Sequence, residues 1–372
     1  MKLKDILNGC LFADGDWIES KDQDPNGEIR LIQLADIGDG FFVNKSSKYI
    51  NSDTAKRLKC TFLEKNDVLI ARMPDPLGRA CVFPLDEREK YITAVDVCII
   101  RTKENCHSRY LQYCINSKDV RNSIERQKTG TTRERITRKK LGDLDIPLPP
   151  LEQQKKIAAI LDEADAYRQK TKALIAKYDE LTQSLFLDMF GDPVRNEKGW
   201  GIKKLGDITS MKAGKFIAAS KIYSENSSNL QPCFGGNGLR GYVTSYTHDG
   251  EFVLIGRQGA LCGNVKITSG KFHATEHAIV CTPKIQYNVL WLYYLLMQMN
   301  LNRFSTGAAQ PGLNVGTLVD LEVYLVPFIL QNQFAERVEA IEQQKAQAQA
   351  SLEKAEELFN SLLQRAFKGE LV

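Results

Sequence analysis

The 372-residue sequence lacks most of the residue patterns that mark an active site. It has four histidines, and its nine cysteines (Cys10, Cys60, Cys81, Cys98, Cys106, Cys114, Cys233, Cys262 and Cys281) include no Cys-x-x-Cys pair. Their number is odd and most lie in apolar runs such as Val97-Cys98-Ile99, which predicts reduced, buried thiols rather than a disulfide framework or a zinc site. No run of roughly 18 apolar residues occurs, and the start, MKLKDILNGC, lacks the apolar core of a signal peptide. The expected location is therefore cytoplasmic, with no membrane contact. The formal charge is +4, so composition carries no global nucleic-acid signal.

Catalytic constellations are missing as well. In CFGGNGLRG, residues 233 to 241, Gly236, Gly238 and Gly241 satisfy GxGxxG, while Phe234, Gly236 and Gly238 satisfy the FxGxG pattern of adenosylmethionine-dependent methyltransferases. A phosphate cradle needs a preceding apolar strand and a following helix, and Tyr242-Val243-Thr244 does not read as a helix. An amino-methyltransferase also needs an Asp/Asn-Pro-Pro-aromatic loop, and the only Pro-Pro in the chain is Pro149-Pro150. His273 and His277 stand four apart in strand-like KFHATEHAIVC without a third ligand nearby, which favours a structural or DNA-facing pair over zinc. Pro74-Asp75 matches the start of a nuclease core, but no Asp/Glu-x-Lys follows within about thirty residues.

What the sequence does contain is itself, twice. An offset of 177 holds without gaps from about residue 126 to 190. Leu144, Leu148, Pro150, Gln154 and Ala158 fall on Leu321, Leu325, Pro327, Gln331 and Ala335. Lys177, Glu180, Leu181, Ser184 and Phe190 fall on Lys354, Glu357, Leu358, Ser361 and Phe367. At looser offsets LKDI (3 to 6) matches LGDI (205 to 208), and DVLIARMPDPLG (67 to 78) matches FVLIGRQGALCG (252 to 263).

Each repeat ends in a helical pattern. From Ile157, steps of three and four reach Ile160, Ala164, Tyr167, Thr171, Leu174, Tyr178, Leu181 and Leu185; the second copy runs Phe334, Val338, Ile341, Lys345, Ala348, Leu352, Ala355, Phe359 and Leu362. Pro149-Pro150 marks the approach to the first helix and Gly191-Asp192-Pro193 its end. About 38 residues would span roughly 57 Å. Neither helix can bury its stripe alone, so the two are expected to pair antiparallel about a local twofold axis, with a domain at each end. The expected fold is α+β, a mixed α/β chain with a pseudo-twofold internal repeat. Its segments are a domain over 1–150, a helical spacer over 151–191, a second domain over 192–328 and a second spacer over 329–372.

Polar loops occupy corresponding places in both halves. Arg72 and Arg257 follow VLIA and VLIG, and Thr129-Gly130-Thr131-Thr132-Arg133 corresponds to Thr306-Gly307-Ala308-Ala309-Gln310. Arginine suits guanine edges, asparagine and glutamine suit adenine, and threonine or lysine holds phosphate. The candidate DNA-contacting set is therefore Arg72, Arg79, Thr129, Thr131, Thr132, Arg133 and Arg135 in the first half, with Lys215, Asn237, Arg240, Arg257, Gln258, Gln310 and Asn314 in the second. The basic run from Arg121 to Lys140 reads either as a solvated face or as a loop lying against phosphates.

IPLPPLEQQKKIAAILDEAD, its second copy VPFILQNQFAERVEAI, the VLIGRQGALCGNV segment and the FKGELV terminus together resemble the specificity subunit of type I restriction-modification systems. The resemblance implies two target-recognition domains, each reading half of a split sequence in double-stranded DNA. It also implies that the helices form an antiparallel coiled coil that sets the gap and docks two methyltransferase subunits. Catalysis would then lie with partners: adenosylmethionine chemistry on the methyltransferase subunits, and ATP- and magnesium-dependent translocation and cleavage on restriction subunits. The chain itself would hold no cofactor and no metal and would not be an enzyme. The competing readings are a stand-alone adenine methyltransferase using FGGNG and a structural coiled-coil adaptor.

Overall fold

The computed structural model describes residues 1–85, 90–130, 133–259, 261–307 and 311–371. Its helices of more than two turns are α1 (Ser108–Asn116), α2 (Lys118–Gln127), α3 (Leu151–Phe190), α4 (Val289–Gln298) and α5 (Phe328–Lys368). The chain divides into two units, Met1–Thr171 with Ser351–Val372, and Lys172–Ala350. No described helix is long and apolar enough to cross a membrane.

In the first unit a four-stranded antiparallel sheet runs in the order Leu11–Asp14, Val97–Arg101, Val68–Ala71, Ala80–Val82. Its two central strands, VLIA and VCIIR, are apolar without alternation because both faces are covered. Val68, Ile70, Cys98 and Ile100 meet the α1 side chains Leu111, Cys114 and Ile115. Leu69, Ala71, Val97 and Ile99 meet Ile32, Phe83 and Tyr91 on the other face. A second sheet, in the order Lys48–Ile50, Ile29–Ile32, Lys90–Thr93, joins an antiparallel pair to a parallel one.

The second unit repeats this plan. Its antiparallel sheet runs Thr209–Ala213, Ala278–Pro283, Phe252–Gly256, Val265–Thr268, with Val253, Ile255, Ile279 and Cys281 on one face and Leu254, Ala278 and Val280 on the other. Its companion sheet again holds one parallel pair, Gln231–Gly235 with Lys271–Ala274. The repeat seen in the sequence therefore extends to strand order. All nine cysteines are free thiols and seven are buried.

The long helices are fixed at both ends by their own sequence. Gln154 and Gln331, one repeat apart, are buried. The Gln154 side chain donates to the carbonyls of Asn105 (3.0 Å) and Pro149 (2.8 Å) and accepts from the amide of His107 (2.9 Å). Gln331 donates to the Val326 carbonyl (2.8 Å) and accepts from the Asn288 amide (2.8 Å). The same side chain thus ties each long helix to the residue that opens α1 or α4. Both helices stop at a glycine in the left-handed region, Gly191 (φ 81°) and Gly369 (φ 76°), a conformation that disfavours any Cβ.

Within the second unit Phe334 of α5 packs edge-on against Phe186 and Phe190 of α3, with centroids 5.5 and 5.4 Å apart, and Lys345 pairs with Asp179. The number rises on one helix as it falls on the other, so the pair is antiparallel. Within the first unit Phe359 of α5 lies under the Arg168 guanidinium at 4.0 Å, and Ala366 joins Ile157, Ala158, Leu161, Tyr110 and Tyr113 in one cluster.

On α5 the expected stripe is inward throughout: Phe334, Val338, Ala348, Ala355 and Phe359 are buried, and Ile341, Lys345, Leu352 and Leu362 half-buried. On α3, Ile157 is buried and Ala164, Tyr178 and Leu185 are half-buried, but Leu174 is 43% exposed, and Tyr167 and Leu181 also point outward. The expectation for Leu174 is therefore corrected. The inward positions lie one residue later, at Leu161, Arg168, Ile175 and Thr182. Polar residues of this seam find partners close by, although the buried Arg168 Nε is left without one among the described residues. Arg168 pairs with Asp165 at 2.6 Å, and the hydroxyls of Thr171 and Thr182 donate to the carbonyls of Tyr167 and Tyr178 one turn back.

Replacing Gln154 or Gln331 with alanine strands buried backbone groups. Each variant is expected to lose about 2 to 4 kcal/mol in denaturant unfolding. The exposed Gln343→Ala should stay within about 0.5 kcal/mol of the parent. Parity between buried and exposed glutamines would overturn the assignment.

Candidate nucleic-acid interface

Each unit builds a reciprocal loop at the same repeat position. In the first, the Thr129 amide donates to the Arg135 carbonyl (2.9 Å) and the Arg135 amide to the Thr129 carbonyl (2.8 Å). In the second, Thr306 and Gly312 exchange the same two bonds, both 2.9 Å. The second residue of each loop is a glycine at positive φ, Gly130 (94°) and Gly307 (97°), and a Cβ on Gly130 would meet the Arg133 carbonyl oxygen at 2.4 Å. The loops are anchored alike: the Ile136 amide donates to the Arg72 carbonyl (3.1 Å) and the Leu313 amide to the Arg257 carbonyl (2.8 Å). Thr131, Thr132 and Gln310 fall outside the described residues.

The side chains inside this common frame differ. In the second unit the glycine-rich stretch is the turn of a hairpin between Gln231–Gly235 and Gly238–Val243. A strand, not a helix, follows Gly238, so no helix N-terminus faces the loop as a phosphate cradle would require. The turn instead borders an open groove of about 480 Å³ that brings three expected residues together, Asn237, Arg240 and Gln258, with His277 beside them. Gln258 bridges to Gly312 and the Gly259 amide donates to the Pro311 carbonyl (2.9 Å), which joins the reciprocal loop to the same surface. Arg257 is half-buried next to it. Lys215 is exposed, and its carbonyl lies 3.1 Å from the ring nitrogen of buried His273. The two histidines are thus separated, one in the core and one on the groove.

Lys266 is a neighbour that sequence reasoning missed. Its side chain lies 3.4 Å from where a Cβ on Gly238 would sit, and Asn264 donates to Asn237 at 3.4 Å. The available signal was the outward position of Lys266 in the strand Val265–Thr268. Together these groups offer a guanidinium, two side-chain amides and an ammonium on one exposed surface, the set that reads base edges and phosphates.

Several expected contacts prove to be structural. Arg72 is buried; it donates to the carbonyls of Ile136 (3.0 Å) and Val95 (3.2 Å) and pairs with Asp14. Buried Arg79 clamps four carbonyls, those of Ile37, Met73, Pro76 and Leu34. Burial draws its pKa below the ordinary arginine value, against the opposing pull of Asp39 and Asp75. Neither side chain reaches outward, which corrects both expectations. Asn314 is exposed, but its side-chain oxygen caps the helix Val315–Val319 by accepting from the Gly316 amide (2.9 Å), as Thr137 caps Arg138–Gly142 one repeat earlier.

The basic run of the first unit is also largely engaged. Arg121 pairs with Asp39, Lys128 with Glu125 and Glu134, and Arg135 with Asp96 at 3.0 Å. Arg138 donates to the Phe12 carbonyl and Lys140 to that of Gln127. Thr129 and Arg133 remain exposed, and Arg126, Arg133 and Lys139 make no ion pair among the described residues.

The comparisons with known proteins agree with this duplicated plan. The family described as "Type I restriction modification DNA specificity domain" matches residues 1–179 and 197–357. A type I restriction enzyme EcoprrI specificity subunit from Escherichia coli is 50% identical over 124 residues, which cover 33% of this chain and 31% of that protein. The match thus spans about a third of that relative. The type I restriction enzyme MjaVIII specificity subunit of Methanocaldococcus jannaschii is 21% identical over 387 residues, covering 91% of this chain and 88% of that one. The crystal structure of a type I restriction-modification system S subunit from M. genitalium superposes with a TM-score of 0.61 at 18% identity, over 99% of this chain and 95% of that one, and supports the fold.

Alanine at Asn237, Arg240 or Gln258 should leave unfolding stability within about 0.5 kcal/mol. Each should weaken binding to duplex DNA by about 1 to 3 kcal/mol. Arg79→Ala should instead lose about 2 to 4 kcal/mol of stability through unpaired carbonyls. A stable Arg79→Ala protein with altered sequence preference would reverse the two assignments.

Proposed function

The chain belongs to the type I restriction-modification DNA specificity domain family, and from that premise we propose that it is the sequence-reading subunit of a type I restriction-modification assembly. In this reading it is a non-catalytic binder of double-stranded DNA that recognises a split site, one half per unit. The observation that carries it is the pair of reciprocal loops, Thr129–Arg135 and Thr306–Gly312, built on the same strand order with different side chains. One frame made twice with divergent contacts is what a reader of two different half-sequences needs. The continuous helices α3 and α5, of 40 and 41 residues, serve as the spacer that holds the gap constant.

Two copies of a methyltransferase subunit dock in this reading. Its support is a surface motif that recurs: Lys177, Glu180, Leu181 and Ser184 are exposed on α3, and the identical Lys354, Glu357, Leu358 and Ser361 are exposed on α5. Restriction subunits complete the assembly, adenosylmethionine, ATP and magnesium belong to those partners, and the place of action is the cytoplasm. A stand-alone adenine methyltransferase is disfavoured by the hairpin geometry of FGGNG. A purely structural adaptor would show only weak DNA contact that salt erases.

The test is selection from a random duplex library by the chain purified with its methyltransferase partner. A split motif with a constant gap is expected; one uninterrupted site, or none, would sink the proposal. Removing one heptad from both α3 and α5 shortens each helix by roughly 10 Å. The gap should then shrink by about three base pairs at 3.4 Å per step, with both half-sequences unchanged.

A further inference from the structure

The helix α4 (VLWLYYLLMQ) is apolar almost all the way round, a pattern that belongs to a helix covered on every side. Trp291, Leu292, Leu295 and Leu296 are indeed buried. Leu290, Tyr293 and Met297, spaced three and four apart, are only half-buried and line an open groove of about 620 Å³ within the second unit. Its rim is acidic: Asp179, Glu251, Glu339 and Glu342 stand against one cation, Lys345. That lysine already pairs with Asp179 and lies 3.9 Å from Glu342, while Glu251 and Glu339 have no ion-pair partner among the described residues.

The first unit shows the same position with polar residues in place of the stripe and a narrower opening, of about 160 Å³. The bonds of Gln154 to His107 and of Gln331 to Asn288 align α1 with α4, so Arg109, Gln112 and Asn116 hold the places of Leu290, Tyr293 and Met297. These three are polar, and each makes at least one side-chain hydrogen bond. Arg109 donates to Asp162 (2.7 Å), to Gln112 (2.6 Å) and to the Gly40 carbonyl (3.3 Å), and Asn116 donates to the Ala80 carbonyl (2.8 Å). Asp39 is held beside them by Arg121. The first unit thus lays its own loop beside the position and leaves a polar opening, whereas the second presents an apolar stripe there.

We infer that the groove of the second unit is filled by a basic amphipathic segment of a partner protein chain. The inference rests on the reading that this chain works in an assembly. Aliphatic or aromatic side chains of the segment contact Leu290, Tyr293 and Met297, and its Lys or Arg residues face Glu251, Glu339 and Glu342. Spacing of three and four along α4 suits a helix laid into a groove. The acidic rim selects a cationic occupant and repels a nucleic-acid backbone. Because α1 is polar at the matching positions, this contact exists on one half of the molecule only.

The test places the photoreactive residue p-benzoylphenylalanine at Tyr293 in the full-length chain, purified with its methyltransferase and restriction subunits, and identifies the cross-linked peptide by mass spectrometry. A Lys- or Arg-bearing segment of a partner subunit is expected. The exposed double substitution E339K/E342K should cut the cross-link yield by roughly tenfold or more through like-charge repulsion, with the melting temperature unchanged. A cross-link between two copies of this chain, no intermolecular cross-link, or a yield indifferent to charge reversal would each overturn the inference. The same preparation is scored for split-site selection. Selection that persists without the cross-link removes only the groove's role, and lost selection removes the reading of function.

Discussion

Neither long helix can bury its apolar stripe alone, and the rest of the structure depends on how that is resolved. In each unit the beginning of one long helix and the end of the other share a core with a shorter helix. The second unit uses the edge-on rings of Phe186, Phe190, Phe334 and Tyr294, and the first uses Ile157, Leu161, Phe359, Tyr110 and Tyr113. Truncating such a ring costs about 3 to 5 kcal/mol, a large share of a domain's stability. The reciprocal loops inherit their position from this packing. The closing residues Arg135 and Gly312 precede Leu151 and Phe328 by the same short stretch of chain. Each stretch passes through a capped helix, Arg138–Gly142 or Val315–Val319, before reaching the buried glutamine. Loop and helix are therefore held in one register in both units.

Much of this was legible from residues alone, for physical reasons that can be named. Proline before a helix, glycine after it and a sustained period of three and four are local signals, and they located α3, α5 and their repeat. The α5 stripe reads correctly because its inward positions are mostly Phe, Val, Ile, Leu and Ala. The α3 stripe misleads because apolar residues stand beside the seam. Tyr167, Leu174 and Leu181 attract the pattern one place early, while the seam holds Arg168, Ile175 and Thr182; Arg168 pairs with Asp165 and the Thr182 hydroxyl donates to a carbonyl of its own helix.

The candidate site was harder to read because arginine in a sequence does not say what it faces. Arg72 follows one strand and Arg79 precedes the next, places that suit a recognition loop, yet both are drawn inward by carbonyls that no local pattern reveals. The decisive ones lie far off in sequence, Leu34 and Ile37 for Arg79 and Ile136 for Arg72. The hairpin turn at Asn237 is different. Its glycines and its Asn-Gly step are turn chemistry, and the groups it presents remain exposed because nothing in the unit folds over them.

Residues kept in both repeats separate into two kinds. Gln154 and Gln331, Ile146 and Val323, and Ala158 and Ala335 are buried, and folding of each unit accounts for them. Lys177, Glu180, Leu181 and Ser184 are exposed, as are Lys354, Glu357, Leu358 and Ser361, and folding does not account for an outward leucine repeated at 49% and 56% exposure. The reverse comparison is equally informative. The outer stripes of α1 and α4 share a frame but not a chemistry, Arg-Gln-Asn in one and Leu-Tyr-Met in the other. Surfaces that match across the repeat suit a partner met twice in the same way, and surfaces that differ suit contacts made once. On that division the repeated helical motif suits a partner met twice, while the loops and the acidic groove suit ligands that distinguish one half from the other.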